Sequence, residues 1–186
     1  MSEFETLRKE LAEYDALRDT VIKTARDIVK NSKHAIYSLH RNEVKKAKEQ
    51  LKEAEKITKE LAPVIKKHPS LRHGMFSSGM EEYAEARAFL QFLENGTLVS
   101  CKELGVTVDE YLLGLCDVTG ELMRFAVHKG TERDTKAVQA ARDLVDMIFG
   151  ELMQFDFRNS ELRRKYDSVK YNLQKIEKVL YDLALQ

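Results

Sequence analysis

The sequence contains very few residues that break helices. Pro63 and Pro69 are its two prolines, and none of its eight glycines precedes Gly74 or follows Gly150. Long tracts at both ends are therefore free of helix breakers. Apolar residues recur along these tracts at intervals of three and four, and no strand-like alternation competes with that pattern. The sequence therefore predicts an all-α protein.

Cysteine and long apolar runs are also scarce, and each scarcity excludes a class of protein. Cys101 and Cys116 have no Cys or His partner at the spacing of a zinc finger. The opening residues MSEFETLRKE lack the apolar core of a signal peptide. No apolar run approaches the roughly 20 residues that a membrane span needs. We therefore expect a reduced, soluble, cytoplasmic protein with no membrane partner.

The overall charge does not indicate a partner. Charged residues make up 33% of the chain, and they cancel to a formal net charge of zero. A nucleic acid would therefore have to be bound by a local basic patch. The length of 186 residues and the hydrophobic content of 43% fit a single domain, 1–186, that is large enough for a core.

The apolar stripes predict six helices. They are placed at 3–40, 42–66, 73–95, 108–128, 133–156 and 160–185, with connections at 95–108 and 130–132. The last two helices carry heptad-like seams that need a partner helix. A continuous first helix would be about 55 Å long at roughly 1.5 Å per residue. The predicted fold is an elongated bundle of about six to seven helices, with broad flanks for self-association.

Two glutamates extend an aromatic stripe on the third predicted helix. Glu82 and Glu85 lie on the face that also carries Phe89, Phe92 and Leu93. Apolar residues would be expected there, because this face is the one that packs. The acids are either the rim of a core stripe or the ligands of a site.

A second acidic pair lies on the next helix. Between Tyr111 and Val127 the charged residues are Asp117, Glu121 and Arg124, and spacings of four and three align them. Carboxylate pairs on facing helices commonly hold a divalent metal, and a set of oxygen donors favours Mg²⁺ or Mn²⁺. The sequence contains no Glu-x-x-His pair, which argues against a di-iron bundle. The alternative, the polar face of an amphipathic helix, stays open on spacing alone.

A line of basic residues runs along the first helix. Its members, at spacings of three and four with Arg41 at the end, are Arg26, Lys30, Lys33, Tyr37 and His40. A row of cations with an aromatic residue among them suits a phosphate backbone with an occasional stacked base. The alternative is an ordinary solvated face. Arg72 and His73, just before the acid-bearing helix, allow the same two interpretations.

Four segments of the chain resemble the translin family. They are 25–41, which begins ARDI and ends LHR; 79–86, GMEEYAEA; 109–124, which contains DVTGELMR; and the tail 162–183. The resemblance covers nearly the whole chain, in the expected order. It implies an all-helical fold and assembly into hollow octamers that bind single-stranded nucleic acid.

The acids resemble those of the family's catalytic member, translin-associated factor X, which is a metal-dependent endoribonuclease. Glu82, Glu85, Asp117 and Glu121 match its acids, whereas translin, the nucleic-acid-binding scaffold, lacks several of them. The tail of the chain looks closer to translin. The resemblance therefore implies a minimal enzyme that binds Mg²⁺ or Mn²⁺ through these four residues and cleaves single-stranded RNA inside a homo-oligomer, expected to be an octamer.

The resemblance also extends to the basic residues. The RNA contacts that we expect from the basic line and the matching segments are Arg26, Lys30, Lys33, His40, Arg41, Arg72, His73 and Arg124. Two alternatives to the nuclease remain open. One is a non-catalytic scaffold of translin type that binds single-stranded RNA or DNA, and the other is a purely structural helical oligomer.

Overall fold

The computed structural model describes residues 2–158 and 161–185. These residues form seven α-helices and one 3₁₀ turn, Pro69–Arg72, and no strand is found among them. The helices are α1 (Glu3–His40), α2 (Val44–Lys67), α3 (Met75–Asn95), α4 (Cys101–Leu104), α5 (Val108–Thr131), α6 (Thr135–Leu152) and α7 (Glu161–Ala184). The prediction of an all-α fold is confirmed. The assignment of 1–186 to a single domain stays a prediction.

The structure differs from the predicted boundaries in the connections. The connection at 95–108 contains the short helix α4, which begins at a capping box between Ser100 and Glu103 and ends at Gly105 with a φ of 66°. Helix α6 ends at Leu152, four residues before the predicted end. The predicted start of the last helix, residue 160, lies outside the described residues.

The order of helix contacts places α3 and α5 at the centre of the bundle. Helix α1 packs on α2 and α3, α3 packs on α5, and α5 also packs on α6 and α7. The buried residues of α3 and α5 include Phe89 and Leu122, both without exposed surface. None of the helices in the described ranges is long and apolar enough to cross a membrane.

Gly114 permits the close approach of α3 and α5. A Cβ atom at this position would lie 2.9 Å from the Ala84 Cβ and 2.9 Å from the Glu81 carbonyl oxygen. Any larger residue would therefore push the two helices apart. Because this contact lies one turn before Asp117 and beside Glu85, it brings the two acidic pairs face to face.

A buried ion pair fastens the 3₁₀ turn to the start of α5. Glu110 has 1% of its surface exposed and accepts hydrogen bonds from Arg72 at 3.1 Å (Nε to Oε1) and 2.5 Å (Nη2 to Oε2). Ser77 Oγ and the Thr107 backbone N–H also donate to its carboxylate, at 3.0 Å and 2.8 Å. A buried carboxylate is tolerated when it is paired in this way.

Candidate active site

The four acidic residues lie on one cavity between α1, α3 and α5. The cavity has a volume of about 490 Å³ and is lined by Lys33, Ile36, Tyr37, Glu82, Glu85, Asp117, Glu121 and Arg124. We call it the acid cavity. Helical spacing had placed each acidic pair on one face, and the packing of α3 on α5 brings the two faces together.

Lysines from two different helices pair with the acids. Lys33 Nζ lies 2.8 Å from Glu82 Oε1, and the hydrogen bond and charge of Glu82 raise the pKa of Lys33. Lys165, on α7, places its Nζ 2.6 Å from Asp117 Oδ2 and 3.5 Å from Glu81 Oε2. Burial lowers the pKa of Lys165, but the two carboxylates outweigh this effect, and its pKa is raised.

Glu121 is held by a histidine from α1. His40 Nε2 contacts Glu121 Oε2, and Arg124 Nη1 lies 3.9 Å from the same oxygen. The side chain of His40 is only 5% exposed, and its ring lies 4.8 Å from that of Phe89. His40 is therefore packed inside the bundle, where it orients Glu121, while Arg124 is half exposed at the rim.

Glu85 is the most deeply buried of the four acids, with 7% of its surface exposed. Burial, followed by the charges of Asp117, Glu82 and Glu121, raises its pKa to about 9, although Lys165 acts in the opposite direction. The carboxyl group is therefore protonated at neutral pH. A cation placed among these groups would favour its ionised form.

The donor set of the acid cavity fits a hard divalent cation. It consists of carboxylate oxygens, the ligands that Mg²⁺ and Mn²⁺ prefer. Burial, and after it the charges of the neighbouring acids, raises the pKa of one of these carboxyl groups, that of Glu85. Within residues 2–158 and 161–185, however, no group of three or more His, Cys, Asp or Glu side chains is arranged to hold a metal ion. Three of the acids contact basic partners instead. To bind a metal ion, these carboxylates would have to rotate away from the basic side chains, or contact the ion and the basic side chain at the same time.

The predicted RNA-binding residues fall into three groups: those at the acid cavity, those exposed elsewhere along α1 and at its end, and the pair that precedes α3. Lys33, His40 and Arg124 lie at the acid cavity. Arg26 and Lys30 are exposed on the preceding turns of α1. Arg41 is also exposed, although its guanidinium is engaged by Glu43 at 2.8 Å and lies over the ring of Tyr37.

Arg72 and His73 lie away from the acid cavity. The guanidinium of Arg72 is bound to the buried Glu110, so we assign it to the fold and not to the RNA-binding surface. His73 is exposed and lines a separate cavity of about 270 Å³ with Tyr14 and Ser70. Neither residue contacts an acid of the candidate site.

Sequence reasoning missed two residues of the acid cavity region, Lys165 and Glu81. Glu81 precedes Glu82, but helical spacing places it off the shared face, and its partner is Lys165. Lys165 lies 48 residues from Asp117 in the chain. A spacing pattern within one helix contains no signal for such a contact, although Lys165 does lie within the tail that resembles the translin family.

Comparisons with known proteins agree with this fold. The family model for the translin family matches residues 16–186. A translin-associated protein X homolog of Schizosaccharomyces pombe is 30% identical, over 99% of this chain and 88% of that protein. Human translin is 28% identical, over 53% of this chain and 50% of that protein.

A solved structure of a relative has the same fold along its whole length. The structure of the AfC3PO–duplex RNA complex superimposes with a TM-score of 0.91, at 26% identity, and the match covers 99% of this chain and 97% of that one. The family match and the fold lead to the same conclusion. This chain belongs to the translin family.

Proposed function

We propose that this protein is a metal-dependent endoribonuclease that binds single-stranded RNA and cleaves it at the acid cavity. The observation that carries the proposal is the meeting of Glu82, Glu85, Asp117 and Glu121 on one cavity. Membership of the translin family, and the RNA held by the AfC3PO relative, support a nucleic-acid-binding function of translin type.

In this proposal the four carboxylates hold Mg²⁺ or Mn²⁺. A bound divalent ion supplies polarisation of the scissile phosphate and a water of lowered pKa. The exposed side chains of Lys33 and Arg124, at the rim of the cavity, neutralise the phosphates on either side. Arg26 and Lys30 continue this contact along α1. Because phosphate contacts carry no sequence information, we expect little preference for sequence.

The test uses the full-length protein, an unstructured RNA oligonucleotide and controlled Mg²⁺. We expect cleavage in Mg²⁺ and none in EDTA, and we expect Glu82→Gln and Asp117→Asn to abolish cleavage while RNA binding persists. Glu94→Gln, on the same helix as Glu82 but outside the cavity, is the matched control and should cut normally. Equal cleavage in EDTA, or normal cleavage by both cavity variants, would refute the proposal.

A non-catalytic scaffold that binds single-stranded RNA or DNA is the second candidate function. The ion pairs at Glu82 and Asp117 favour it, because they satisfy these acids without a metal. Retention of RNA with no metal-dependent product would select this function. Single-stranded DNA and duplex RNA belong in the same binding assay, since the AfC3PO relative was solved with duplex RNA.

We also propose that the protein assembles with itself, as an octamer. An apolar stripe on the first turns of α1 supports self-association: Phe4, Leu7 and Leu11 are 72%, 51% and 62% exposed. Light scattering gives the oligomer mass directly. Leu7→Glu combined with Leu11→Glu should lower that mass without unfolding the chain, and an unchanged mass would exclude this stripe as an interface. A cytoplasmic location stays a prediction.

A further inference from the structure

We propose that Lys165 is a positioning residue of the acid cavity, which fixes Asp117 and keeps the affinity of the cavity for divalent ions low. This inference rests on the proposed metal site and extends it to a helix that does not line the cavity. The residues of the lining belong to α1, α3 and α5, whereas Lys165 belongs to α7.

The contacts of Lys165 join three helices at one ammonium group. Its Nζ lies 2.6 Å from Asp117 Oδ2 on α5 and 3.5 Å from Glu81 Oε2 on α3. The side chains are 25% exposed for Lys165 and 16% exposed for Glu81, so water screens these charges only partly. A charge-assisted hydrogen bond of this length restricts the carboxylate of Asp117 to one orientation.

Lys165 is not needed to dock α7. The helix is held on the bundle by the buried residues Val169, Leu173 and Ile176, which follow Lys165 by one to three turns. Removal of the ammonium should therefore leave α7 in place. This separates a role at the acid cavity from a role in folding.

The charge of Lys165 opposes a divalent ion. An ammonium that contacts a carboxylate lies within a few ångströms of any ion bound to the same carboxylate, and their repulsion is large even at an effective dielectric constant of about 20. A neutral residue of similar length should therefore tighten ion binding, by about tenfold or more on the same grounds. The same change releases Asp117 from its fixed orientation, so cleavage should become slower although the ion binds more tightly.

The experiment compares Lys165→Met and Lys165→Arg with Lys170→Met, a matched control at an exposed lysine of the same helix. Mn²⁺ affinity is measured by calorimetry or by the electron paramagnetic resonance signal of free Mn²⁺, and RNA cleavage is measured at saturating Mn²⁺. We expect Lys165→Met to bind Mn²⁺ about tenfold more tightly and to cut more slowly, while its circular dichroism spectrum in EDTA remains that of a folded helical protein. Lys165→Arg should restore both values towards those of the wild type, and Lys170→Met should change neither.

The Mn²⁺ measurement separates this inference from the proposed nuclease. If the wild type binds Mn²⁺ and cuts no RNA, the nuclease proposal fails, and tighter binding by Lys165→Met still supports the role of Lys165. Unchanged or weaker Mn²⁺ binding by a folded Lys165→Met protein overturns the inference, whatever the nuclease activity. It is also overturned if neither the wild type nor Lys165→Met binds Mn²⁺.

Discussion

Glu85→Gln is expected to stabilise the metal-free protein at neutral pH. Burial and three neighbouring carboxylates raise the pKa of Glu85 to about 9. An acid whose pKa is raised in the folded state binds its proton more tightly when folded, so the group favours unfolding increasingly as the pH rises from its ordinary pKa towards the raised one. Glutamine has the shape of the protonated acid and does not ionise, so it removes this dependence.

The size of the effect follows from the two pKa values. At pH 7 the solution lies about 2.5 pH units above the ordinary pKa of 4.5 and still below the folded value of about 9. At about 1.4 kcal/mol per pH unit, wild-type Glu85 costs the fold about 3 kcal/mol at pH 7 and less than about 1 kcal/mol at pH 5. In a chain of this length, about 3 kcal/mol corresponds to roughly 6–12 °C in melting temperature.

Thermal unfolding followed by circular dichroism in EDTA, at pH 5 and at pH 7, measures this difference. Glu82→Gln is the matched control, because Glu82 is paired with Lys33 at 2.8 Å. The loss of such a partly exposed pair costs at most about 1 kcal/mol, so this control should not stabilise the protein at either pH. Two results would contradict a raised pKa of Glu85. One is equal melting temperatures of Glu85→Gln and the wild type at pH 7, and the other is a gain in melting temperature that is the same at pH 5 as at pH 7.

Four further substitutions test the fold and the RNA-binding surface. Arg72→Ala leaves the buried Glu110 without its cation, and denaturant unfolding should show a loss of about 3–5 kcal/mol. Gly114→Ala places a Cβ 2.9 Å from α3 and should cost about 1–3 kcal/mol in the same assay, whereas Gly150→Ala, with nothing within 4 Å, should gain about 0.5–1 kcal/mol. If RNA binds along α1, Arg26→Ala should lower the slope of log affinity against log salt by about one; an unchanged slope would place the RNA elsewhere.

The long helices can be predicted from the sequence because their apolar stripes are uninterrupted. In α6, Val138, Val145 and Leu152 are buried as their spacing predicts, but Phe155, the next position of the same seam, is 48% exposed. The stripe continues by one position after the helix has ended. Helix α4 has four residues, too few to show a period, so its local signals are the capping box at its start and Gly105 after its end.

The acid cavity could be predicted only in part. Helical spacing places Glu82 with Glu85, and Asp117 with Glu121, each pair on one face. It does not specify that the two faces meet, because the contact of α3 with α5 depends on the absence of a side chain at Gly114. The basic partners of the acids come from α1 and α7. Spacing places Lys33 and His40 on the basic line of α1, but it contains no signal that they pair with these acids, because those contacts belong to tertiary structure.

Two buried glutamates show how a site can be distinguished from a structural ion pair. Glu110 and Glu85 are 1% and 7% exposed. Glu110 accepts hydrogen bonds from Arg72, Ser77 and the Thr107 backbone, and its capping-box spacing from Thr107 is readable in the sequence. Within the described residues, the carboxyl of Glu85 has no such donors, and its nearest charges include three like charges.

An apolar residue at Glu85 would continue the stripe of Phe89 and would avoid the cost of a buried acid. Within the described residues, no hydrogen-bond donor around Glu85 requires a carboxyl group. Around Glu110, by contrast, Arg72, Ser77 and the Thr107 backbone N–H all need its carboxylate as an acceptor. A side chain that destabilises its own fold is typical of functional sites. A divalent ion bound at the acid cavity would reverse the sign of this cost, because it favours the ionised form of Glu85 and binds only the folded chain. Mn²⁺ should therefore raise the melting temperature of the wild type more than that of Glu85→Gln. Equal shifts would show that Glu85 does not contribute to binding the ion.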